Sequence, residues 1–197
     1  AIQVGMPLGP LQLNDETALD LAYKILKQAI KDVGPDVVDS RHIEFLDRMV
    51  NKEGRFGRKN GKGFYEYPDK PAKKFIWPGL REMFEQQDPS AIDKEEIKNR
   101  FLAAVALEAA RCVEENVITD VREADVGSIL GFGFAPYSGG ALSYIDGMGA
   151  ARFVEMCDAL NAKYGEQFEV NALLRDMANN GDSFYERFAS ERPAKKA

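Results

Sequence analysis

Residues 53–67, EGRFGRKNGKGFYEY, decide between an α/β nucleotide-binding fold and a helical domain. The stretch holds four glycines and four cationic residues, a composition that also occurs in phosphate-binding loops. A P-loop requires Gly, four residues and then Gly-Lys-Ser/Thr, but Phe56 occupies the first glycine position and Gly63 follows Lys62. The dinucleotide fingerprint fails as well, because Glu66 stands where a third small residue is needed. We therefore interpret the stretch as a glycine turn leading into a short extended aromatic segment.

The segments ahead of this stretch have the periodicity of amphipathic helices. Residues 16–33 place apolar side chains at i, i+3, i+4 and i+7 spacing, which predicts a helix with one buried face. Asn14 or Asp15 can cap the start of this helix, and Gly34 ends it. A second helix is predicted over about residues 40–52, directly before the glycine-rich stretch.

Beyond the glycine-rich stretch, the sequence predicts a linker and then a long helix. Residues 68–90 are rich in Pro, Lys and Gln, which is typical of a linker, with one short helix near residues 79–87. Asp93 opens the longest predicted helix, which extends to about Asn116. We assign the apolar stripe of this helix to Ile97, Phe101, Ala104, Val105 and Cys112.

Further helices complete the prediction, and only one segment favours a strand. One short helix begins near Val121, and two more cover about residues 149–163 and 169–180. The strand-like segment is GFYEY, residues 63–67, where aromatic residues follow a glycine turn. The sequence therefore predicts an all-α fold.

The predicted helices fall into two similar groups. In each group a Gly/Pro segment leads to a leucine and then an aspartate, Asp15 in the first and Asp146 in the second. A helix, a short loop and a second helix follow, and each group then reaches an aromatic pair at residues 64–65 or 184–185. Repeated units leave apolar faces that neighbouring units bury. We therefore predict two tandem helical units packed as a pseudo-dimer, of which the first is truncated at its N-terminus.

This repeat divides the chain into four predicted parts. Residues 1–67 form the partial first unit, residues 68–90 the linker and residues 91–188 the second unit. The polar end of the chain, residues 189–197, is predicted to be disordered. Either unit expressed alone is expected to be insoluble or to self-associate, because its apolar face would be open.

The composition is that of a globular protein and argues against several classes of function. Charged residues make up 29% of the 197 residues and apolar residues 45%, which is enough for a core. A net charge of -6 argues against a general nucleic-acid-binding protein, and no run of 18 apolar residues could span a membrane. Cys112 and Cys157 lack metal-ligand spacing and favour a reducing, cytoplasmic location, while a single histidine leaves little scope for a metal site.

Few residues have the pattern of a catalytic group. Glu108 lies four residues before Cys112 on the assigned stripe, so it is either a catalytic base or, more commonly, a partner of backbone amides in a nearby loop. His42 lies near a predicted helix start without a Ser or Cys nucleophile beside it, which favours a solvated histidine. The loop GFGFAPYSGG, residues 131–140, either lines a ligand slot or lets helices approach closely. The residues alone thus indicate a helical accessory domain.

Four segments, taken in order, resemble a known family. They are GMPLGPLQLND, GRFGRKNGKGFYEY, NRFLAAVALEAARCVEENVI and GFGFAPYSGGALSYID. Together they resemble the C-terminal helical region of 3-hydroxyacyl-CoA dehydrogenases. The doubled unit is most similar to the multifunctional fatty-acid oxidation enzymes, which also carry enoyl-CoA hydratase activity. The resemblance extends from about Gly5 to Tyr185.

The resemblance implies that the chemistry lies in another domain. In the family, an NAD-binding Rossmann domain precedes this region and supplies a catalytic His paired with Glu; this chain contains no GxGxxG motif, and His42 lies outside the catalytic motif. Asn99 and Arg100 match the Asn-Arg motif of the family, but they belong to the second unit, which resembles a dimer partner. We therefore assign no catalytic, cofactor-binding or metal-ligating residue to this chain.

The resemblance also implies a place beside the substrate. One loop lies, by resemblance, near the groove where the acyl chain meets the Rossmann domain, and we predict that it contacts acyl-CoA. This loop consists of Met6, Pro7, Leu8, Gly9 and Pro10. The parent enzyme would oxidise (S)-3-hydroxyacyl-CoA to 3-ketoacyl-CoA with NAD. This chain alone is expected to be inactive.

The glycine-rich stretch of residues 53–67 is then expected to be a structural lock. Its glycines would form the turn, and its aromatic side chains would pack on helices. Contact of Arg58 or Lys59 with a CoA phosphate or with another domain remains open at this point.

Two other functions stay open at the level of the sequence. One is a helical interaction module that docks a thiolase subunit of an oxidation complex. The other is part of a monofunctional short-chain 3-hydroxyacyl-CoA dehydrogenase, or of a plant-type or peroxisomal relative. The lack of a C-terminal Ser-Lys-Leu signal disfavours the peroxisome, and the doubled unit favours the multifunctional form.

Overall fold

The computed structural model describes residues 1–188, and the chain divides into two compact units. The N-terminal unit comprises residues 8–92, and the C-terminal unit comprises residues 1–7 together with residues 93–188 of the described chain. These boundaries differ from the predicted ones, since the first seven residues belong to the C-terminal unit and residues 68–90 to the N-terminal unit. The predicted tail, residues 189–197, lies outside the described residues.

Helices dominate the N-terminal unit. In chain order its elements are α1 (Pro10–Thr17), α2 (Leu19–Val33), α3 (Ser40–Asp47) with a π-helical continuation (Arg48–Lys52), β1 (Tyr65–Glu66), β2 (Phe75–Ile76) and α4 (Gly79–Met83). The two short strands form an antiparallel hairpin in which Tyr65 pairs with Ile76. The helix predicted over residues 16–33 corresponds to α2, except that residues 16 and 17 belong to α1. The prediction that Asn14 or Asp15 caps it is wrong, because both residues lie within α1.

The break between α1 and α2 falls at Ala18, which has a backbone φ of 77°. This conformation suits glycine, and a residue with a Cβ atom adopts it at a cost of about 1–3 kcal/mol. The amide of Leu19 donates to the carbonyl of Phe56, 3.0 Å away, so the tertiary structure holds the break in place. The apolar periodicity gave no sign of it, because the stripe begins at Leu19 and so lies entirely after the break.

The predicted linker contributes to the core of the N-terminal unit. This core consists of Leu19, Leu46, Met49, Val50 and Phe64. Trp77, Leu80 and Met83, which follow the hairpin, pack against it. Proline and lysine content marked residues 68–90 as polar, but three apolar side chains at close spacing are enough to attach the segment to the core.

The C-terminal unit contains the longest helix of the described chain. Its helices are α5 (Lys94–Glu114), α6 (Val121–Phe132), α7 (Ala141–Met148), α8 (Ala150–Tyr164), α9 (Ala172–Asn180) and the single turn α10 (Phe184–Arg187). Asp93 caps α5 as predicted, since its carboxylate accepts from the amides of Glu95 and Glu96, each at 3.0 Å. The helix α7 was not predicted, because its sequence follows a glycine-rich loop and is only eight residues long.

The apolar stripe assigned to α5 is wrong. The buried side chains of α5 are Leu102, Ala103, Ala106, Leu107, Ala110 and Val113. Of the predicted stripe, Ala104 is exposed and Cys112 only partly buried. Both sets have helical spacing, and alanine favours neither face by itself. The buried face of α5 is the one on which small residues allow α7 and α9 to pack closely.

The internal repeat is present in the structure. Helices α1 and α7 each have eight residues, α2 and α8 each have 15, and a short 3-10 turn follows in both cases. The starts of these three elements differ by 131 residues in each case. We call residues 10–67 the first copy and residues 141–185 the second copy. The pseudo-dimeric packing of the two copies stays a prediction.

The repeat gives a direct test of the strain at Ala18. Its counterpart is Gly149, which has a φ of 86° and likewise precedes a helix of 15 residues. We expect Ala18→Gly to raise the free energy of unfolding by about 1 kcal/mol, because the relieved strain exceeds the entropic cost of glycine in the unfolded chain. Gly149→Ala should lower it by a similar amount, as measured by denaturant unfolding followed by circular dichroism.

The matched control is Gly127→Ala within α6, where an added Cβ meets no atom within 4 Å. This substitution should be neutral or stabilising, because alanine is the better helix former. A loss of stability in Ala18→Gly would show that the backbone at this position is not strained.

Candidate functional site

A buried carboxylate lies at the centre of the glycine-rich stretch. Asp15 is 1% exposed and accepts the backbone amides of Phe64 at 2.7 Å and Tyr65 at 2.9 Å, and the phenol of Tyr67 at 2.9 Å. These three donors satisfy an anion that would otherwise be costly to bury. Burial, together with this carboxylate, raises the pKa of Tyr67. The site ties α1 to the start of the hairpin.

A buried guanidinium fastens the same loop from the other side. Arg55 is 4% exposed; its Nε donates to the carbonyl of Gly63 at 2.7 Å, and its terminal nitrogen pairs with Glu66 at 2.8 Å. The guanidinium also lies over the ring of Trp77, 4.1 Å from its centroid. Planar stacking combined with a fork of donors is characteristic of arginine. Arg55 thereby links the glycine loop to the segment after the hairpin.

The glycines of this stretch are required by close backbone approach. A Cβ atom on Gly63 would lie 2.0 Å from the Oδ1 atom of Asp15, and one on Gly57 would lie 2.4 Å from the carbonyl oxygen of the same residue. Gly57 also has a φ of 103°, which few other residues adopt. The arrangement is that of a loop closed onto helix α1, in agreement with the structural lock inferred from the sequence.

Two of the three exposed cations of the loop have acidic partners on the neighbouring helices. Arg58 pairs with Glu16 at 2.7 Å, and Lys59 binds Asp20. The hydrogen bond from Lys59 lowers the pKa of Asp20, and the bond to Glu16 raises the pKa of Arg58. These ion pairs account for both cations within the N-terminal unit, which favours a structural role over a phosphate contact.

The second copy repeats this arrangement of an aspartate that accepts the backbone amides of an aromatic pair, which we call the carboxylate clasp. Asp146 accepts the amides of Phe184 at 2.8 Å and Tyr185 at 3.1 Å, as Asp15 does with its own aromatic pair. The sequence shows that the two aspartates correspond and that the two aromatic pairs correspond. The structure shows that each aspartate is hydrogen-bonded to the aromatic pair of its own copy. Burial raises the pKa of Asp146, while the two amide bonds act in the opposite direction.

A further buried aspartate, not identified from the sequence, caps the second copy. Asp125, on α6, accepts the amides of Leu142 at 2.8 Å and Ser143 at 3.1 Å at the start of α7, and the phenol of Tyr185 at 2.8 Å. A Cβ atom on Gly140 would lie 2.4 Å from the Asp125 side chain. No local sequence pattern identifies Asp125 or Arg55 as a buried polar residue. The hydrogen-bonding partners of these two residues lie between eight and 60 residues away in the chain.

The predicted substrate loop of residues 6–10 divides between the two compact units. Met6 and Pro7 belong to the C-terminal unit, whereas Leu8, Gly9 and Pro10 belong to the N-terminal unit. A Cβ atom on Gly133 would lie 2.7 Å from the ring of Pro7. Leu8 is partly buried, and Gly9 and Pro10 open α1. The contact of these five residues with acyl-CoA stays a prediction.

An open groove of about 760 Å³ lies in the C-terminal unit. Its lining includes Lys98, Asn99, Tyr137, Tyr144, Arg152 and Met156. Burial raises the pKa of Tyr144 to about 12, so this phenol stays protonated at neutral pH. The Asn99 of the Asn-Arg motif thus faces a groove, while Arg100 stacks on the ring of Tyr164 with 3.9 Å to the centroid.

The remaining candidates, Glu108 and His42, do not line this groove. Glu108 is exposed and pairs with Arg111 at 3.0 Å, so the expectation of a carboxylate bonded to loop amides is wrong. That expectation placed Glu108 on the buried face of α5 because the apolar stripe was assigned incorrectly. His42 is exposed near the start of α3, as expected for a solvated histidine. Within residues 1–188 no three His, Cys, Asp or Glu side chains form a group suited to a metal ion.

None of the helices in the described part of the chain is both long and apolar enough to cross a membrane.

The clasp at Asp15 predicts a large loss of stability when its charge is removed. In Asp15→Asn one oxygen remains as an acceptor, while the new NH₂ group faces the donors of Tyr65 and Tyr67. We expect a decrease of about 2–3 kcal/mol in the free energy of unfolding of the N-terminal unit, measured by denaturant titration. The control is Asp69→Asn, which removes the same charge at an exposed position and should change stability by less than about 0.5 kcal/mol. Equal effects of the two substitutions would contradict a structural role of the clasp.

The fold and the clasps define a class of protein, an all-helical domain built from two related copies. The solved structure of 3-hydroxybutyryl-CoA dehydrogenase from Escherichia coli K12 shares this fold with a TM-score of 0.58 and 17% sequence identity, over 90% of this chain and 52% of that one. The prediction of an all-α fold is confirmed, with the two-residue strands β1 and β2 as its small sheet.

Comparison of the amino-acid sequence with known proteins is more specific than comparison of the fold. Residues 1–67 match the family described as 3-hydroxyacyl-CoA dehydrogenase, C-terminal domain. Fatty acid oxidation complex subunit alpha from Vibrio cholerae serotype O1 is 35% identical over 93% of this chain, and the protein of the same name from Shewanella amazonensis is 36% identical over 93%. The chain spans only 25% and 26% of the length of these relatives. The resemblance to the C-terminal helical region of 3-hydroxyacyl-CoA dehydrogenases is thus confirmed.

Proposed function

We propose that this chain is the C-terminal helical part of an NAD-dependent 3-hydroxyacyl-CoA dehydrogenase of fatty-acid β-oxidation. The similarity to fatty acid oxidation complex subunit alpha, which extends over 93% of the chain, carries this proposal. The intact enzyme would oxidise (S)-3-hydroxyacyl-CoA to 3-ketoacyl-CoA in the cytoplasm and would also carry enoyl-CoA hydratase activity.

The residues of this chain do not fit the NAD cofactor of the proposed reaction. A dinucleotide site requires a parallel sheet with a glycine-rich turn between a strand and a helix. Over residues 1–188 the sheet consists of the two-residue strands β1 and β2, and it is antiparallel. NAD, which would accept the hydride from C3 of the substrate, would therefore bind to another domain of the intact enzyme. By resemblance to the family, that domain would also supply the base that removes the hydroxyl proton.

The contribution of this chain is to shape the acyl-CoA groove and to pack against other domains. The loop of residues 6–10 is apolar, and Pro7 and Pro10 restrict its backbone, so it can offer a rigid wall to an acyl chain without being ordered by the ligand. The two copies would pack as a pseudo-dimer that supports this wall.

The proposal is tested with acetoacetyl-CoA and NADH by following the loss of NADH absorbance. We expect turnover by the intact enzyme and none by the 197-residue chain, because the base and the NAD site lie elsewhere. Turnover by the chain alone would overturn the assignment of the chemistry to another domain, and Asn99 in its groove would be the first residue to examine. An inactive intact enzyme would overturn the proposed function itself.

The same assay tests the substrate loop in the intact enzyme. Leu8→Ala should raise the KM for long-chain substrates several-fold and change kcat less, because it removes apolar contact made equally in the ground and transition states. The control is Val117→Ala, an exposed position in the C-terminal unit. Identical kinetics in both variants would remove Leu8 from the groove.

A second candidate function is a module that docks a thiolase subunit. The relatives are named as subunits of a complex, and helix α6 exposes the apolar side chains of Val126 and Leu130, which lie one turn apart. Exposed apolar patches commonly mark interaction sites. If α6 is such a site, an immobilised chain should retain a purified thiolase subunit, and Leu130→Asp should abolish retention whereas Leu13→Asp should not. Failure of the unaltered chain to retain thiolase would exclude this function.

A further inference from the structure

The open groove of the C-terminal unit, which we call the C-terminal groove, contains polar side chains that no other residue satisfies. Asn99 on α5, Tyr144 on α7 and Arg152 on α8 line it. Within residues 1–188 the side-chain amide of Asn99, the hydroxyl of Tyr144 and the guanidinium of Arg152 form no hydrogen bond or ion pair with another residue. Three helices thus each contribute one available polar group to the same groove.

The hydroxyl of Tyr144 is not required by the core. The ring of Tyr144 packs edge-on against Phe134 and Phe153, with centroid distances of 6.3 and 6.1 Å. A phenylalanine would make the same two ring contacts without the cost of desolvating a hydroxyl group. Because burial raises the pKa of Tyr144 to about 12, the hydroxyl can donate a hydrogen bond at neutral pH.

The first copy shows that the helical framework does not depend on these polar groups. The positions 131 residues earlier than Tyr144 and Arg152 are Leu13 and Leu21. With either set of side chains the chain forms a helix of eight residues followed by one of 15. The phenol and the guanidinium are therefore features of the groove rather than of the repeated framework.

The charges of the groove leave one cation available to a ligand. Lys98 is neutralised by Glu95, 2.5 Å away. Arg152 has no ion pair in the described part of the chain, and Glu155, which also lines the groove, lies about one turn further along α8. A single guanidinium suits a ligand with one negative charge, since it can donate two hydrogen bonds to a carboxylate. A ligand with a second negative charge would be repelled by Glu155.

The rest of the lining includes an apolar wall. It contains Met148, Met156 and Ala159, and both methionines are half-buried. Methionine side chains are flexible and adapt their shape to an apolar ligand. The volume of about 760 Å³ lies in the range of small-molecule sites. A ligand of this groove should therefore combine a polar head with an unbranched apolar tail.

We propose that the C-terminal groove binds a medium-chain carboxylate. The carboxylate head accepts hydrogen bonds from Arg152, Tyr144 and the NH₂ group of Asn99, and the alkyl tail lies along Met148 and Met156. The inference uses only residues 95–159 of the C-terminal unit, so it does not rest on the proposed function.

Methionine NMR spectroscopy locates the ligand. The 197-residue chain is labelled with [methyl-¹³C]methionine and titrated with octanoate. The methyl resonances of Met148 and Met156 should shift saturably, with a Kd of about 1 mM or lower. The resonance of Met83, which belongs to the N-terminal unit, should not move. Absence of a saturable shift at Met148 and Met156 would overturn the proposal.

Substitutions in the groove test the contacts of the head group. Arg152→Ala should weaken octanoate binding about tenfold or more, because it removes a charge-assisted hydrogen bond, and Tyr144→Phe should weaken it about threefold to tenfold. The matched control is Arg81→Ala, which removes an exposed arginine of the N-terminal unit and should leave the Kd unchanged. The unmoved Met83 resonance reports that each variant is folded. An unchanged Kd in both groove variants would place octanoate elsewhere and refute the site.

Related ligands and Glu155 test the chemical class of the ligand. Octanamide and acetate should bind at least about tenfold more weakly than octanoate, because the first lacks the charge and the second lacks the tail. Octyl phosphate should also bind more weakly, and Glu155→Gln should improve its binding more than that of octanoate, because the repulsion acts on each negative charge. Tighter binding of octanamide or octyl phosphate than of octanoate would contradict a carboxylate site.

Discussion

The buried carboxylate of Asp15 is the constraint on which the N-terminal unit depends. An anion that is 1% exposed must receive hydrogen bonds, and its donors are the amides of Phe64 and Tyr65 and the phenol of Tyr67. This requirement brings a loop nearly 50 residues away in the chain onto α1, excludes any side chain at Gly63 and places Phe64 in the core. The glycine content of residues 53–67 is thus explained by protein packing rather than by phosphate binding.

The same device occurs in the second copy, where Asp146 holds the amides of Phe184 and Tyr185. The two copies differ in what surrounds the clasp: the N-terminal unit adds Arg55 and a hairpin, whereas the C-terminal unit adds Asp125, α5 and α6. The shared part of each copy is therefore a framework of two helices and a clasp.

We propose that this chain contributes to function through its surfaces and that the catalytic centre lies in another domain. The titratable side chains singled out from the sequence, Glu108 and His42, are exposed, and the cations Arg58 and Lys59 have acidic partners within their own unit. What remains is the apolar loop of residues 6–10 and the groove of the C-terminal unit. These are the features expected of a region that completes sites and interfaces for the rest of an enzyme.

The sequence by itself determined the all-α class, the cap of α5 by Asp93 and the repeat, because these follow from periodicity and from order along the chain. Only the tertiary structure decided the break at Ala18, the buried face of α5 and the roles of Arg55 and Asp125. Each of these depends on partners distant in sequence. A strained backbone or a buried charge is stable only where the folded chain supplies the compensating contacts, and no local pattern records which contacts those will be.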